Sequence, residues 1–423
     1  MSVPTHTVQE QSGSAELAGL LSVEEARARI VAAMPVLGAE KIRVGSAAGR
    51  VLAEDIVARV SLPPMPVSAM DGYACRSTDV MSLPATLQKI GISKAGSHFA
   101  GSVTAGTCVR IFTGAVVPQG ADVIALQEDA TEQDDAVTIE EVPKPGQFIR
   151  PMGMDFGAGQ RCVTRGRVLT ARDLGVIASC GHGEVPVRRK PRIAILSTGD
   201  ELIEPGSPFR GPDRIMASNG VSLAAAVALW GGEPVDLGIV PDEVAAIAAA
   251  VDSVSGADLL VTSGGASVGD HDLVHASLHT RGFAVDFWKI AMRPGKPLMF
   301  GRLGELPVLS MPGNPVSTLV CALLFLRPAM WAMLGLNDTN PRFDRAVLAS
   351  RLPENDRRED YVRTHLEADA EGRLLAHPFP KQDSAMILTL AQADGLIRRK
   401  PFAPAAGPGD EVEIIRFRDC GGY

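Results

Sequence analysis

The chain has 423 residues, enough for about three domains, and its 46% hydrophobic and 21% charged residues are typical of a globular protein. The formal net charge of −8 argues against a dedicated nucleic-acid-binding protein, although local basic loops can still hold an anionic substrate. The six cysteines include no C-x-x-C pair and no apolar signal segment opens the chain, so we expect a reduced, cytoplasmic protein without a membrane span.

The first predicted element is a short helix. A stiff linker further along the chain separates this region from the β structure that follows. Ser22 and Glu25 have the spacing of a capping box, and the helical pattern after them stops at Pro35. The proline-rich segment Leu62–Pro66 predicts an extended linker and a domain boundary.

A run of β-rich segments and turns follows from Leu87 to Val142, and helical character returns over Thr170–Cys180. This order predicts a β domain over residues 63–143 that is inserted into a discontinuous linker domain. The two parts of that linker domain are residues 21–62 and 144–188.

After Pro191 the pattern changes to alternating strands and helices. A helix that Ser218 or Asn219 caps should run to Trp230, and Asp242 should cap a second helix to Val254. A long apolar stretch from Val316 should form a buried helix that ends at Arg327-Pro328. Buried strands are predicted at Arg192–Thr198, Val235–Val240, Leu259–Thr262 and Ala284–Ile290, with a hairpin around Gly301–Glu305. The alternation predicts a doubly wound, mostly parallel sheet over residues 189–335, with its ligand at the carboxyl ends of the strands.

The last region, residues 336–423, shows strand patterns only. The strands are predicted at Arg345–Leu352, Tyr361–Leu366, Leu374–Pro378 and Glu411–Arg416. The predicted fold class is therefore α/β plus β in a multidomain chain, with a second small β domain at the C-terminus.

Four polar motifs follow strands of the predicted sheet and should meet on one rim. They are Thr198-Gly-Asp-Glu201, Ser263 to Asp272, Arg293-Pro-Gly-Lys-Pro297 and Pro312-Gly-Asn-Pro-Val-Ser317. Together they supply anion donors (Ser267, Lys296, Ser317) and acids (Asp200, Glu201, Asp270, Asp272). This combination is typical of a site that holds a phosphorylated or oxyanionic ligand through a cation.

Each motif also has a structural interpretation. Asp200 can cap a turn, and Pro312 and Pro315 can simply shape the loop before a helix. We do not interpret His271 as a metal ligand, because no second histidine has ligand spacing. No Ser–His–Asp or Cys–His pattern is evident.

Six motifs in a fixed order carry a resemblance to a known family. They are Ala69-Met-Asp-Gly-Tyr-Ala74, Arg110-Ile-Phe-Thr-Gly-Ala115 with Pro118-Gln-Gly-Ala-Asp122, Ser197-Thr-Gly-Asp-Glu-Leu202, Ser263-Gly-Gly-Ala-Ser-Val-Gly269, Pro294-Gly-Lys-Pro297 and Pro312-Gly-Asn-Pro-Val-Ser317. Over about residues 21–417 the chain resembles the molybdopterin molybdenumtransferases, the last enzymes of basic molybdenum-cofactor synthesis, and the C-terminal domain of gephyrin.

The resemblance implies an elongated homodimer of four-domain subunits with a molybdopterin-binding α/β domain and a C-terminal β barrel. The implied reaction consumes adenylylated molybdopterin and molybdate, places molybdenum on the dithiolene and releases AMP. It uses a divalent cation, usually Mg²⁺. A molybdopterin adenylyltransferase and acceptor molybdoenzymes are possible partners, while nucleic acid and membrane are not expected. The family's cleft lies between the α/β domain of one subunit and the inserted β domain of the other.

The matching motifs also imply residue roles. The catalytic acids implied are Asp71 (from the facing subunit), Asp155, Asp200, Glu201 and Asp272, and of these Glu201 and Asp272 are the implied metal ligands. The implied substrate-binding residues are Thr113, Gly114, Ser197, Thr198, Ser263, Gly264, Gly265, Ser267, Gly269, Lys289, Arg293, Lys296, Pro312, Asn314 and Ser317. Two further basic residues, Arg358 and Arg363, align only loosely with the family pattern.

One position departs from the family. Where the family usually has an acid two residues before Asn219, this chain has Ala217, which removes one charge and one oxygen ligand from the cation site. The alternative function is therefore a weakly active or non-catalytic paralogue that binds molybdopterin or cofactor and delivers it to a molybdoenzyme. A third alternative, a relative built on the sheet alone that adenylylates molybdopterin or hydrolyses nucleotide, is disfavoured because such relatives generally lack the first two domains.

Overall fold

The computed structural model describes residues 20–141, 143–208, 211–264 and 273–420, which divide into two compact units. The small unit contains residues 40–187. The large unit contains the residues up to Ala39 together with those from Arg188 onward.

Helix α1 (Val23–Ala32) belongs to the large unit. Ser22 Oγ accepts a hydrogen bond from the Glu25 N–H (3.2 Å), and the Glu25 carboxylate accepts one from the Ser22 N–H (3.0 Å), so the predicted capping box is confirmed. The apolar face of α1, which includes Ile30, is fully buried in the core of the large unit.

The described part of the small unit contains twelve strands and one α-helix. Its strands are β1 (Ala39–Arg43), β2 (Ile56–Val57), β3 (Val67–Ser68), β4 (Gly72–Cys75), β5 (Ala85–Ser93), β6 (Thr107–Ile111), β7 (Val123–Leu126), β8 (Ala130–Gln133), β9 (Ala136–Ile139), β10 (Ile149–Arg150), β11 (Arg161–Val163) and β12 (Glu184–Arg188), and its helix is α2 (Ala171–Ser179). Strands β4 to β9 form one sheet in the order β7-β4-β6-β5-β9-β8. The pairs β1–β12, β2–β11 and β3–β10 join the chain before this sheet to the chain after it, so the sheet is an insertion.

The first part of the large unit is the predicted α/β fold. Its strands are β13 (Arg192–Thr198), β14 (Leu202–Ile203), β15 (Ile215–Met216), β16 (Glu233–Val240), β17 (Leu259–Ser263), β18 (Phe283–Trp288), β19 (Met292–Arg293), β20 (Met299–Leu303) and β21 (Leu306–Met311), and its helices are α3 (Asn219–Leu229), α4 (Val244–Asp252) and α5 (Leu273–His279). The central sheet has the order β16-β13-β17-β21-β20-β18. The first four strands are parallel, and β20 and β18 add an antiparallel edge.

Both faces of this sheet are covered, which explains the continuous apolar runs of its strands. In β13, Ile193 and Ile195 pack into the core on one face, while Ala194 and Leu196 pack into the core on the other.

Asp242 does not cap a helix, so that prediction was wrong. Helix α4 begins at Val244, and Glu243 occupies the N-cap position without a side-chain hydrogen bond. The backbone N–H of Asp242 instead donates to Asp200 Oδ1 (3.1 Å), which holds Asp242 at the rim of the sheet.

The predicted end of the apolar helix at Arg327-Pro328 was also wrong. Helix α6 (Pro315–Cys321) passes through a π turn (Ala322–Leu326) directly into α7 (Arg327–Met333). A proline has no N–H and crowds the preceding turn, and the wider π turn accommodates it. The helix Pro315–Met333 is long and apolar enough to cross a membrane, but 83% of its most apolar window is buried inside the protein, as in a core helix.

The C-terminal region is a closed β barrel, which confirms the predicted β domain. Its elements are β22 (Asp344–Leu348), β23 (Glu359–Ala368), β24 (Leu374–Pro378), α8 (Ile387–Ala391), β25 (Gly395–Arg399) and β26 (Glu411–Arg416). The five strands close through the β23–β25 pairing, and β19 adds to β23 outside the circle. Strand β25 was missed because Arg398 and Arg399 follow only two apolar residues, Leu396 and Ile397.

Short 3₁₀ turns complete the described elements. They lie at Val44–Ser46, Ser77–Val80, Gln127–Asp129 and Phe417–Cys420.

Candidate functional site

A cavity of about 990 Å³ lies at the carboxyl ends of the parallel strands, where the sequence predicts the ligand. The ends of β13, β17 and β21 form one wall, and loops of the barrel around Arg358 and Ser384 form another. Its volume is at the upper end of the range for small-molecule sites.

Two glycines allow the backbone to fold tightly at the floor of the cavity. Gly264 follows β17 with φ +102°, and a Cβ atom there would lie 2.1 Å from the carbonyl oxygen of Thr198. Gly199 follows β13, and a Cβ atom there would lie 2.7 Å from a carboxylate oxygen of Glu201. Any other residue at Gly264 would push β13 and β17 apart at the point where both enter the site.

Asn219 orients the hydroxyl group of Ser263 in the cavity. The Asn219 side-chain amide donates to Ser263 Oγ (2.7 Å) and to the carbonyl oxygen of Gly313 (2.7 Å). Because Ser263 Oγ accepts from Asn219, its own O–H is directed elsewhere and can donate to a ligand. The sequence indicated Asn219 only as a possible helix cap and as a reference position for Ala217, and did not assign it this role.

Three carboxylates converge at one side of the rim. Glu201 and Asp242 line the cavity, and Asp200 accepts the Asp242 N–H. Burial, followed by the charges of Asp200 and Glu201, raises the pKa of Asp242. Its Oδ1 atom and the Thr198 hydroxyl are buried and make no hydrogen bond of ordinary geometry among the described residues, although Thr198 lies close enough to act against the rise in the pKa of Asp242. Among the described residues, no cation offsets the repulsion that Asp200 and Glu201 exert on Asp242.

Some of the cations that line the cavity already form ion pairs within the protein, and one does not among the described residues. Arg293 donates to Asp360 (2.5 Å), Asp356 (3.2 Å) and Asn355 (3.3 Å), and Arg358 donates to Asp356 (2.7 Å). Arg358 is the main cause of a pKa of about 2 for Asp356. Lys296 makes no ion pair within the described ranges, so its ammonium is available to an anionic ligand.

Most of the site residues named from the sequence for the α/β domain meet at this cavity. The lining includes Ser197, Thr198, Glu201, Ser263, Gly264, Arg293, Lys296, Pro312, Asn314 and Ser317. Asp200 is not among the lining residues, but it accepts a hydrogen bond from the N–H of the lining residue Asp242. Lys289 is not among the lining residues, and its ammonium stacks on the Trp288 ring at 4.3 Å. Four named residues, Gly265, Ser267, Gly269 and Asp272, lie outside the described residues, as do Asp270 and His271.

The remaining named residues lie in the small unit. Asp71 Oδ1 accepts hydrogen bonds from the N–H (2.7 Å) and the hydroxyl (2.8 Å) of Thr113, and Gly114 follows with φ +80°. These two bonds lower the pKa of Asp71. Asp155 lies at the other end of the β3–β10 ladder, where its N–H donates to the carbonyl oxygen of Leu62 (3.0 Å).

Sequence reasoning did not identify Asp242 or the barrel loop Gln382–Ala385 as parts of the site. Of the two barrel arginines that align loosely with the family pattern, Arg358 lines the cavity. Asp242 was assigned to a helix cap, although its position after the second parallel strand could have indicated a rim residue. Ala217 is 7% exposed and lines the cavity, so the family's missing acid would have faced this space. Within the described residues no three histidine, cysteine or acidic side chains form a ready metal site.

Three family models together match most of the chain. A model described as the MoeA N-terminal region (domain I and II) matches residues 21–181, and one described as a probable molybdopterin binding domain matches residues 194–332. A third, the MoeA C-terminal region (domain IV), matches residues 345–417.

Named relatives and solved structures match along nearly the whole length. A molybdopterin molybdenumtransferase of Haemophilus influenzae is 34% identical over 403 residues, which cover 94% of this chain and 99% of the relative. A molybdopterin molybdenumtransferase 2 of Mycobacterium tuberculosis is 35% identical, with 93% and 98% covered. A crystal structure of the MoeA protein from Pyrococcus horikoshii superposes with a TM-score of 0.84 at 28% identity, with 94% of this chain and 99% of that chain covered.

Proposed function

The chain belongs to the molybdopterin molybdenumtransferase family, whose members are enzymes of molybdenum-cofactor biosynthesis, and we propose that it catalyses the family's molybdenum insertion. In this reaction molybdate and adenylylated molybdopterin are the substrates. Molybdenum is placed on the dithiolene, the bond to the adenylyl group is broken, and AMP leaves. The reaction depends on Mg²⁺.

The observation that carries this proposal is the composition of the cavity at the sheet edge. Lys296, which makes no ion pair in the described part of the chain, and the oriented hydroxyl of Ser263 suit phosphate or molybdate oxygens. On the same rim, Glu201 and Asp242 present carboxylates to the cavity, and among the described residues no cation offsets their mutual repulsion. A volume of about 990 Å³ suits a ligand as large as a dinucleotide-like adenylate.

The described residues fit a divalent cation at the acidic side of the rim. Asp242 Oδ1 is buried without a hydrogen bond of ordinary geometry among the described residues. The pKa of Asp242 is raised first by burial and then by the charges of Asp200 and Glu201, and a cation would relieve that repulsion. Glu201 and Asp242 would hold Mg²⁺ there, and Asp272 of the family motif is the further ligand expected. When bound, Mg²⁺ would neutralise charge on the phosphate oxygens of the adenylate.

The chain's own residues contribute binding and orientation. Lys296 attracts the anionic end of the substrate, and the Ser263 O–H donates to an oxyanion because Asn219 occupies its lone pair. Gly264 brings the backbone of β17 close to the same space. These fixed donors stabilise the negative charge that develops on the phosphate of AMP as it leaves.

The proposal is tested by AMP release from purified protein given adenylylated molybdopterin and molybdate, with and without Mg²⁺. Glu201→Gln should reduce the rate by roughly 10- to 100-fold. Glu305→Gln is the matched control, because Glu305 is exposed in the hairpin between β20 and β21, at the opposite edge of the sheet. No AMP above background from the wild-type protein with Mg²⁺ would exclude the proposed function.

A second candidate function is a weakly active protein that binds molybdopterin or finished cofactor and delivers it to a molybdoenzyme. The observation in its favour is Ala217, which is buried in the cavity wall on the strand-to-helix loop before Asn219. An acid here would add a carboxylate to a lining that already includes Glu201, Asp242 and Asp383.

Restoring the acid distinguishes the two candidates. If the loss of this ligand weakens catalysis, Ala217→Asp should lower the Mg²⁺ concentration for half-maximal turnover by about tenfold and raise the rate. Ala217→Asn is the matched control of similar size without the charge. Unchanged metal dependence and rate in Ala217→Asp would show that this position does not define the function.

We further propose the assembly that family membership suggests, a cytoplasmic homodimer. Its expected partners are a molybdopterin adenylyltransferase that supplies the substrate and molybdoenzymes that accept the product. The mass of the protein particle in solution, which should be twice that of one chain, is the direct check of the homodimer.

A further inference from the structure

Arg363 on barrel strand β23 is 1% exposed, yet its guanidinium is directed at backbone oxygens of one loop. It donates to the carbonyl oxygens of Met386 (3.0 Å) and Asp383 (3.0 Å), and more weakly to that of Lys381 (3.5 Å). This is an unusual use of a buried arginine, because no carboxylate is paired with it among the contacts described.

Gln382 completes the connection in both directions. Its side-chain oxygen accepts from the Arg363 N–H (3.0 Å) and Nε (3.2 Å), and its amide donates to the carbonyl oxygens of Arg363 (3.0 Å) and Phe379 (2.8 Å). The loop from Lys381 to Met386 is therefore fixed to β23 at four of its six residues.

The loop that Arg363 holds is the barrel wall of the cavity. Gln382, Asp383, Ser384 and Ala385 all line it. The loop is also joined to the sheet side, because Asn314 donates to Ser384 Oγ (2.9 Å) and the Val316 N–H donates to the Ser384 carbonyl oxygen (3.1 Å). Arg363 itself does not line the cavity.

We infer that Arg363 is a positioning residue for the reaction: through Gln382 and the loop carbonyls it sets the barrel wall against the sheet rim. The inference rests on the proposed function for its catalytic consequence. The loose alignment of Arg363 with the family pattern does not make it a ligand-binding residue, because its buried guanidinium already donates to Gln382 and to the loop carbonyls.

The geometry explains why arginine is required. A planar fork can reach carbonyls at both ends of the loop at once, whereas a lysine ammonium is a single point of contact. A wall displaced by about 1 Å can reduce turnover by roughly 100-fold even when the chemistry lies elsewhere.

The barrel contains a matched control. Arg399 on β25 is 7% exposed and likewise donates to loop carbonyls, those of Pro353 (3.1 Å), Ala403 (3.4 Å) and Pro404. None of these residues lines the cavity. Arg363→Met and Arg399→Met thus remove the same kind of support from different backbone segments. Of the carbonyl-bearing residues involved, only Asp383, which Arg363 contacts, lines the cavity.

The first arm of the test is independent of substrate. Amide hydrogen exchange should speed up by at least about tenfold over residues 381–387 in Arg363→Met and remain at the wild-type rate there in Arg399→Met. Gln382→Ala provides a second variant that leaves the buried charge in place and should loosen the same loop. Unchanged exchange over 381–387 in both Arg363→Met and Gln382→Ala would overturn the inference whether or not the protein is active.

The second arm measures AMP release. Arg363→Met and Gln382→Ala should lose turnover roughly 10- to 100-fold beyond Arg399→Met at a temperature where all are folded, and Arg363→Lys should recover only part. Equal losses in the Arg363 and Arg399 variants would assign Arg363 a merely structural role. A wild-type protein without AMP release would instead contradict the proposed function, while the exchange arm still decides the positioning of the loop.

Discussion

At the scale of single residues, the carboxylate of Asp242 lowers the stability of the fold but contributes to the proposed metal site. Its pKa is raised in the folded state by burial and by Asp200 and Glu201, so the ionised form opposes folding. The penalty is complete above the raised folded-state pKa and absent below the unfolded value of about 3.9. A positive ligand beside Asp242 would offset the repulsion and favour its ionised form.

We therefore predict opposite effects of Asp242→Asn on stability and activity. Without Mg²⁺ the variant should have a higher Tm than the wild type at pH 7, and the gain should disappear below about pH 4. Turnover should fall by roughly 10- to 100-fold. Thermal unfolding across pH and AMP release are the measurements, with Glu305→Gln as the control for removing an exposed acid. A lower Tm at pH 7 in Asp242→Asn would contradict the assignment.

Gly264 gives a second prediction at this scale. Gly264→Ala must accept both φ +102° and a Cβ 2.1 Å from the Thr198 carbonyl oxygen, so it should lower the free energy of unfolding by at least about 3 kcal/mol. Gly282→Ala, at φ +82° with open space around it, isolates the backbone strain and should cost about 1–2 kcal/mol. Equal losses, measured by denaturant unfolding, would show that the close approach to Thr198 is unimportant.

At the scale of elements, the helices and strands with strong local sequence signals were predicted, and those that depend on packing were not. The capping box of α1 and the apolar strands β13, β17 and β21 were evident in the sequence, because propensity, periodicity and burial agree there. Strand β25 was missed and the long helix was ended too early. In both cases tertiary packing decides: the barrel needs a fifth strand to close, and the π turn accommodates Pro328.

Helix α1 provides the prediction at this scale. Ile30 is fully buried in the core of the large unit, and Ile177 is equally buried in a core of the small unit. Each change to alanine should cost about 2–5 kcal/mol. Hydrogen exchange should show Ile30→Ala loosening the sheet β13–β21 and Ile177→Ala loosening β2, β11 and α2. If Ile30→Ala loosened the small unit instead, α1 would belong to that unit in solution.

At the scale of the whole molecule, the sequence predicted where the ligand site lies better than what surrounds it. The rim motifs around Glu201, Ser263 and Lys296 follow from the rule that parallel strands collect loops at one edge, and the structure brings them together. The barrel wall at Gln382–Ala385 could not be predicted in this way. It depends on the docking of a separate β fold and on Arg363, and a local sequence pattern encodes neither.

The proposed homodimer makes a prediction about how the active cleft is completed. If Asp71 of one subunit serves the rim of the other, Asp71→Ala and Asp272→Ala should each be poorly active alone, while mixed subunits should regain part of the turnover. In the mixed dimer one cleft carries both changes and the other carries neither. The control is subunit exchange confirmed by mass. An exchanged mixture no more active than the separate variants would contradict the shared cleft.

The central claim, that the cavity at the sheet edge performs molybdenum insertion, is tested most directly by counting both products of one reaction. Wild-type protein with adenylylated molybdopterin, molybdate and Mg²⁺ should release one AMP for each molybdenum that becomes bound to molybdopterin, and Glu201→Gln should reduce both counts together. AMP release without molybdenum incorporation would identify a hydrolase. Equal counts in wild type and Glu201→Gln would place the chemistry outside this cavity.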